Sequence, residues 1–245
     1  MDIQVYTDAE ALSNAAAKLF VELSQEAIGR YGRFTVVLSG GSTPKRVHEL
    51  LAQSPYCEAV DWPNVHVFWG DERCVPMDDE RSNAKMAYDT LLNHVPVPSS
   101  QIHPMSGTLP PAESAAQYEA LLKTYFPEPI PRFDLVFLGM GDDGHTASLF
   151  PGTTAIQEQA RWAIDNYVEK VGMYRITLTA PAINSADAIA FMVAGTNKAE
   201  VLKEVLEGQY QPDVLPSQLI KPIDGELIWL LDTAAAAQIK ISQSE

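Results

Sequence analysis

The chain of 245 residues is long enough for one large α/β domain, its 46% apolar content can bury a substantial core, and two cysteines are too few for a disulfide framework. With 32 acidic residues against 17 basic ones the net charge is −15, which suits neither nucleic acid nor an anionic membrane. An anionic small ligand would have to be held by a few placed cations and backbone amides.

The N-terminus lacks a basic segment followed by an apolar one, and no window approaches a membrane span, so a cytoplasmic location is expected. Cys57 and Cys74 read as ordinary thiols in a reducing compartment, and no Cys/His group has zinc-ligand spacing, so no metal is expected.

Residues 3–7 alternate as a short strand. Asp8 suits a helix cap, and Leu12, Ala16, Leu19 and Leu23 recur at helical spacing to about residue 30. Residues 34–38 form a buried-strand run that meets Ser39-Gly-Gly-Ser-Thr-Pro44, and Pro44 suits the first turn of a helix reaching about residue 53. A strand over 65–69, a loop over 70–76 and a helix over 82–93 follow. Five prolines within residues 95–111 mark irregular connection. A helix over 113–125 and strands over 133–138, 162–166, 174–179 and 188–194 come next. Thr196, just past Gly195, is placed to cap a helix with Ala199, Leu202, Val205 and Leu206 on its apolar side and Gly208 at its close. A strand over 226–231 and an Ala-rich helix after Asp232 end the pattern. His48 reads as a helix-surface residue, His66 as a strand residue, and His94 and His103 lie in or near the proline-rich connection.

Strands separated by helices predict an α/β fold: one Rossmann-like domain over residues 1–245, with a mainly parallel sheet and helices on both faces. Right-handed crossovers place strand-to-helix loops on one sheet edge, so 39–44, 70–76, 139–145 and 195–198 should converge.

Each loop carries candidate chemistry. Gly40 and Gly41 leave backbone N–H groups open to an anion at a helix start, and Ser42 and Thr43 can donate to phosphate oxygens. A capped tight turn would read the same way. Arg73 could clamp an anion, with Asp71 bonding sugar hydroxyls, although Gly70-Asp-Glu-Arg73 taken alone also fits a solvated turn. In Gly139-Met-Gly-Asp-Asp-Gly-His145 a histidine follows a glycine-rich strand end, where a neutral imidazole can accept a proton from water and Asp143 can orient it. Arg175 opens a Thr-rich strand. Lys198 sits in the first turn of a helix against the dipole, a misfit explained if it shares an anion with that helix end.

Taken together, Leu38-Ser-Gly-Gly-Ser-Thr-Pro44, Gly70-Asp-Glu-Arg-Cys-Val-Pro76 with Ser82-Asn83, Gly139 through Pro151, Arg175 through Asn184 and Gly195-Thr-Asn-Lys198 resemble the 6-phosphogluconolactonase family, in family order over nearly the whole chain. The resemblance implies a Rossmann-like fold shared with the glucosamine-6-phosphate deaminases. It implies hydrolysis of 6-phospho-D-glucono-1,5-lactone, the second step of the oxidative pentose phosphate pathway, without metal or organic cofactor. It places the catalytic histidine on His145, the phosphate pocket on Gly41, Ser42, Thr43, Arg175 and Lys198, and an Asp-Glu-Arg loop on Asp71, Glu72 and Arg73. The expected partner is a phosphosugar lactone, in a monomer or small homo-oligomer, with oxyanion stabilisation assigned to Arg73.

Two rivals follow from the same motifs. A glucosamine-6-phosphate deaminase/isomerase would share the phosphate loop and the Gly-Asp-Gly-His segment. The resemblance implies that such enzymes carry Tyr in place of Arg73, and Asn-Glu-Pro where this chain reads Ser148-Leu-Phe-Pro151. A non-catalytic sugar-phosphate sensor would need a basic DNA-binding module, for which this acidic chain leaves no room.

Overall fold

The computed structural model describes residues 1–126 and 129–240. Among the described residues, ten strands alternate with seven helices. They are β1 (Asp2–Tyr6), α1 (Ala9–Tyr31), β2 (Phe34–Leu38), α2 (Ser42–Leu51), α3 (Tyr56–Ala59), β3 (Val65–Trp69), β4 (Asp71–Arg73), α4 (Asn83–Ala87), β5 (Ile102–His103), α5 (Pro111–Tyr125), β6 (Leu135–Leu138), β7 (Ala163–Val168), β8 (Met173–Leu178), α6 (Ala180–Asn184), β9 (Ala188–Val193), α7 (Ala199–Glu207) and β10 (Glu226–Asp232). Local signals set several boundaries. Asp8 accepts from Ala11 N at 2.8 Å to start α1, and Gly32, at φ 76°, ends it in the left-handed region.

Seven strands pair in the order β1-β10-β9-β6-β2-β3-β5, every pair parallel. Both faces of a parallel sheet are covered, so its strands read as continuous apolar runs whose alternate residues serve opposite cores. On β2, Val37 packs into the core under α5, α6 and α7, while Val36 and Leu38 join the core under α1, α2 and α4. β6 and β9 divide in the same way, Val136, Leu138, Ile189 and Phe191 against Leu135, Phe137, Ala188 and Ala190. From β2 the chain proceeds toward β3, and from β6 toward β9 and β10, in the opposite direction across the sheet. The switch point lies between β2 and β6, where an open α/β sheet leaves a crevice at its strand C-termini.

The two strands expected over 162–166 and 174–179 form, as β7 and β8, but they do not join the parallel sheet. They build a separate antiparallel sheet in the order β4-β8-β7, because the chain around residues 70–76, read as loop, extends into β4 and pairs with β8. Their inner residues Ile164, Ile176 and Leu178 share a core with Phe68, Val136 and Phe191 of the large sheet. The helix expected over 82–93 forms as α4 and a following π turn over Tyr88–Leu92. The Ala-rich segment after Asp232 is only a 3-10 turn, Ala235–Gln238. Gly195, not Thr196, stands at the turn into the α7 region, at φ 101°. His48 is corrected outright: it is 1% exposed rather than on the helix surface, because α2 packs that face against α1 and the turn following α4. No helix among the described residues is long and apolar enough to cross a membrane.

Candidate active site

The C-terminal ends of β2, β3, β6 and β9 open on one cleft of about 440 Å³. Gly40, Gly41, Asp71, Arg73, His145, Arg175 and Lys198 all line it, so loops distant in sequence converge as their strand positions require. Met140, Gly141 and Phe150 complete much of the wall.

The loop after β6 presents His145. Gly141 N donates to His145 O at 2.8 Å, and Thr146 Oγ1 to Gly139 O at 2.8 Å, closing a tight turn. A Cβ on Gly141 would lie 2.0 Å from His145 Nδ1. Only glycine lets the backbone approach the ring so closely. Asp143 Oδ1 accepts from His145 N at 3.1 Å and meets His145 Nδ1 at 2.5 Å. Its Oδ2 accepts from Lys170 Nζ at 2.8 Å. Burial works to raise the Asp143 carboxyl, but the hydrogen bonds from His145 and Lys170 outweigh it and hold the group well below the usual carboxylate range. An ionised Asp143 makes Nδ1 the protonated nitrogen, which leaves the imidazole lone pair on Nε2. The ring stacks on Phe150 with centroids 3.9 Å apart, and Arg175 lies 6.0 Å from the Phe150 centroid. Ala147 turns the chain between them at φ 48°, a left-handed conformation that costs a non-glycine residue about 1 kcal/mol.

The cationic wall comes from the small sheet. Register pairs Arg73 on β4 with Arg175 on β8, so the two guanidinium side chains are neighbours. Each has a buried Nε without a protein partner. Burial lowers the Arg175 pKa from its ordinary value, with Asp71 opposing and Arg73 adding to the shift. Asp71 is itself a buried hub: it accepts from Ser148 Oγ at 2.5 Å and Asn83 Nδ2 at 3.2 Å, and lies 3.6 Å from Arg175 Nη1. Asn83 in turn packs against Gly40, where a Cβ would meet its Oδ1 at 2.0 Å. Opposite stands the N-terminus of α2, entered through Gly41 at φ 112° with no side-chain cap on its first amides.

Four expected residues sit elsewhere. Glu72, expected with the ligand-binding loop, is turned inward and 2% exposed. Its carboxylate accepts from the N–H groups of Arg73, Asn83 and Ala84 and from Ser82 Oγ, so it holds the start of α4 rather than facing the cleft. Strand alternation explains this, since neighbours on β4 point to opposite sides. Ser42 and Thr43 lie at the start of α2 beside Gly41, outside the residues that line the cleft. Asp143 stands behind His145, on the wall of an adjoining cleft. Sequence reasoning missed Lys170, because a lysine in Glu169-Lys-Val-Gly172 looks like any solvated turn. Phe150 gave no separate signal within its apolar run.

Among the described residues, no cluster of three or more His, Cys, Asp or Glu side chains is arranged to hold a metal ion. Cys57 and Cys74 are free thiols, and burial pushes Cys74 up to about 11, far from nucleophilic.

A parallel sheet with a cation-rich, glycine-lined cleft at its switch point and an aspartate-backed imidazole in the wall defines an α/β protein equipped for a small anionic ligand and proton transfer. A family model described as glucosamine-6-phosphate isomerases/6-phosphogluconolactonase matches residues 7–229. The chain is 43% identical to a 6-phosphogluconolactonase of Nostoc sp. over 98% of both chains. A solved 6-phosphogluconolactonase of Trypanosoma cruzi superposes with a TM-score of 0.87 at 28% identity, over 98% of this chain and 97% of the other. A monomeric glucosamine-6-phosphate deaminase reaches a TM-score of 0.82 at 22% identity, over 98% of this chain and 100% of the other, a likeness of fold. The chain belongs to the glucosamine-6-phosphate isomerase/6-phosphogluconolactonase family.

Proposed function

We propose that this chain hydrolyses 6-phospho-D-glucono-1,5-lactone to 6-phospho-D-gluconate, with His145 as the base that activates water. The observation that carries the reading is the 2.5 Å contact between Asp143 Oδ1 and His145 Nδ1 in the wall of a cation-lined cleft. It turns Nδ1–H toward an ionised carboxylate, leaves Nε2 as the proton acceptor, and favours the imidazolium once formed. Water loses a proton to Nε2 as its oxygen adds to the lactone carbonyl carbon. The carbonyl oxygen becomes an oxyanion, whose stabilisation is assigned to Arg73 in the cleft wall. Collapse breaks the bond to the ring oxygen, which takes the proton back from His145. The lactone is an activated ester, so no covalent nucleophile, metal or organic cofactor enters the scheme.

The phosphate, remote from the reacting carbon, is assigned to Arg175, Lys198 and the amides of Gly40, Gly41, Ser42 and Thr43 at the α2 N-terminus. Holding it positions the carbonyl against the water, which converts binding energy into rate. The net charge of −15 makes this local cationic wall the feature that admits an anion. Acid release from freshly generated phosphorylated lactone, compared with unphosphorylated gluconolactone, tests the reading. A large preference for the phosphorylated substrate is expected, and equal rates would refute the phosphate assignment.

A further inference from the structure

We propose that Lys170 is a positioning residue for the catalytic pair, pinning one oxygen of Asp143 so that the other stays on His145 Nδ1. The inference rests on the reading of His145 as the base.

A carboxylate is free to turn about its Cβ–Cγ bond, and contacts on one oxygen alone leave that rotation loosely held. Asp143 is held at both oxygens: by the backbone N–H and Nδ1 of His145 on Oδ1, and by Lys170 Nζ at 2.8 Å on Oδ2. Lys170 Nζ also reaches Asp142 Oδ1 at 3.1 Å, so it spans the two adjacent aspartates. Its side chain is 54% exposed, and an ion pair that open contributes little to stability. Its effect falls instead on the groups it touches. Lys170 is also carried by a rigid element. The turn Glu169–Val171 closes on Gly172 at φ 58°, and the register Val168↔Met173 holds its base. Lys170 lines both the active cleft and the adjoining one, so it forms part of the partition between them.

The charges around the imidazole settle the direction of the effect. On its own loop stand Asp142 and Asp143, and Lys198 at the start of the α7 region acts on Asp142. Arg175 approaches from β8 across Phe150, and Asp71 and Arg73 come from β4 in the same cleft. Glu169 shares the turn of Lys170 and faces the adjoining cleft. Removing Lys170 leaves Asp142 and Asp143 without their direct cationic partner. The extra negative charge beside the ring favours imidazolium, so the base gains its proton at higher pH.

The test compares Lys170→Met, Lys170→Arg and His145→Ala through pH profiles of kcat/KM on the lactone. Lys170→Met should raise the acid limb by roughly half a pH unit to one unit. It should lower kcat about tenfold through looser alignment, with KM within about threefold of wild type. Lys170→Arg, which keeps the charge, should return the limb toward wild type. An unmoved limb in Lys170→Met overturns the inference. A raised KM with an unmoved limb also overturns it, and makes Lys170 a phosphate ligand. Normal kcat in His145→Ala defeats the parent reading instead. An inactive His145→Ala beside an unmoved limb in Lys170→Met defeats the positioning role alone.

Discussion

Gly141→Ala is the sharpest probe of the catalytic geometry. The added methyl would lie 2.0 Å from His145 Nδ1, 2.2 Å from Cε1 and 2.6 Å from Asp143 Oδ1. Gly141 has no left-handed φ, so the conflict is purely steric. Moving the ring from 2.0 Å out to ordinary contact at 3.4 Å displaces it by about 1.4 Å. That movement is larger than the tolerance of the 2.5 Å bond between His145 and Asp143. Misplacing a reacting group by about 1 Å costs on the order of 10²-fold in rate, or about 2.7 kcal/mol of barrier. Overpacking adds a loss of roughly 1–3 kcal/mol in stability. The expected result is a kcat about 100-fold lower with KM little changed, because the groups proposed to hold the phosphate lie on other loops. The assay is initial-rate acid release from fresh lactone, corrected for spontaneous hydrolysis, with urea unfolding to confirm that the variant is folded at the assay temperature. A folded variant with kcat within about threefold of wild type would refute the claim that alignment of this pair governs the reaction.

His145→Ala should abolish enzymatic hydrolysis while preserving 6-phosphogluconate affinity, measured by calorimetry; retained turnover would remove His145 as the base. Arg175→Ala and Lys198→Ala should each raise KM at least about tenfold, the loss of one charge-assisted contact to phosphate. An unchanged KM would take that residue out of the pocket. His48 supplies a pH prediction for stability. Burial pushes it down to about 4 from an ordinary 6.5, so below neutrality the unfolded chain binds a proton that the folded chain refuses. Folding stability therefore falls as pH drops through this window, by about 2 kcal/mol between pH 7.5 and 5 from this residue. Buried His103, also pushed down to about 4 by burial, acts in the same direction. Urea midpoints at the two pH values should differ accordingly, and His48→Gln should flatten the dependence; an equally steep variant would reject the assignment.

Much of the parallel sheet was legible before any coordinates, because burial on both faces demands continuous apolar runs such as Phe34–Leu38 and Ala188–Val193. The convergence of the loops after those strands was legible for the same reason, since crossover handedness leaves them only one edge. Periodicity could not show which sheet a strand joins. β7 and β8 look like any other half-buried strands, and their partner β4 is three residues inside an apparent loop.

The sequence by itself determined the glycine-rich turns, the two-faced strands and the presence of one histidine at a strand end, because each follows from local sterics and burial. Tertiary structure alone decided that Glu72 faces inward, that Arg73 and Arg175 lie side by side, and that Lys170 reaches Asp143 from 27 residues away. Those outcomes depend on strand register and on which side of a short strand each side chain takes, and register is set by pairing partners far along the chain.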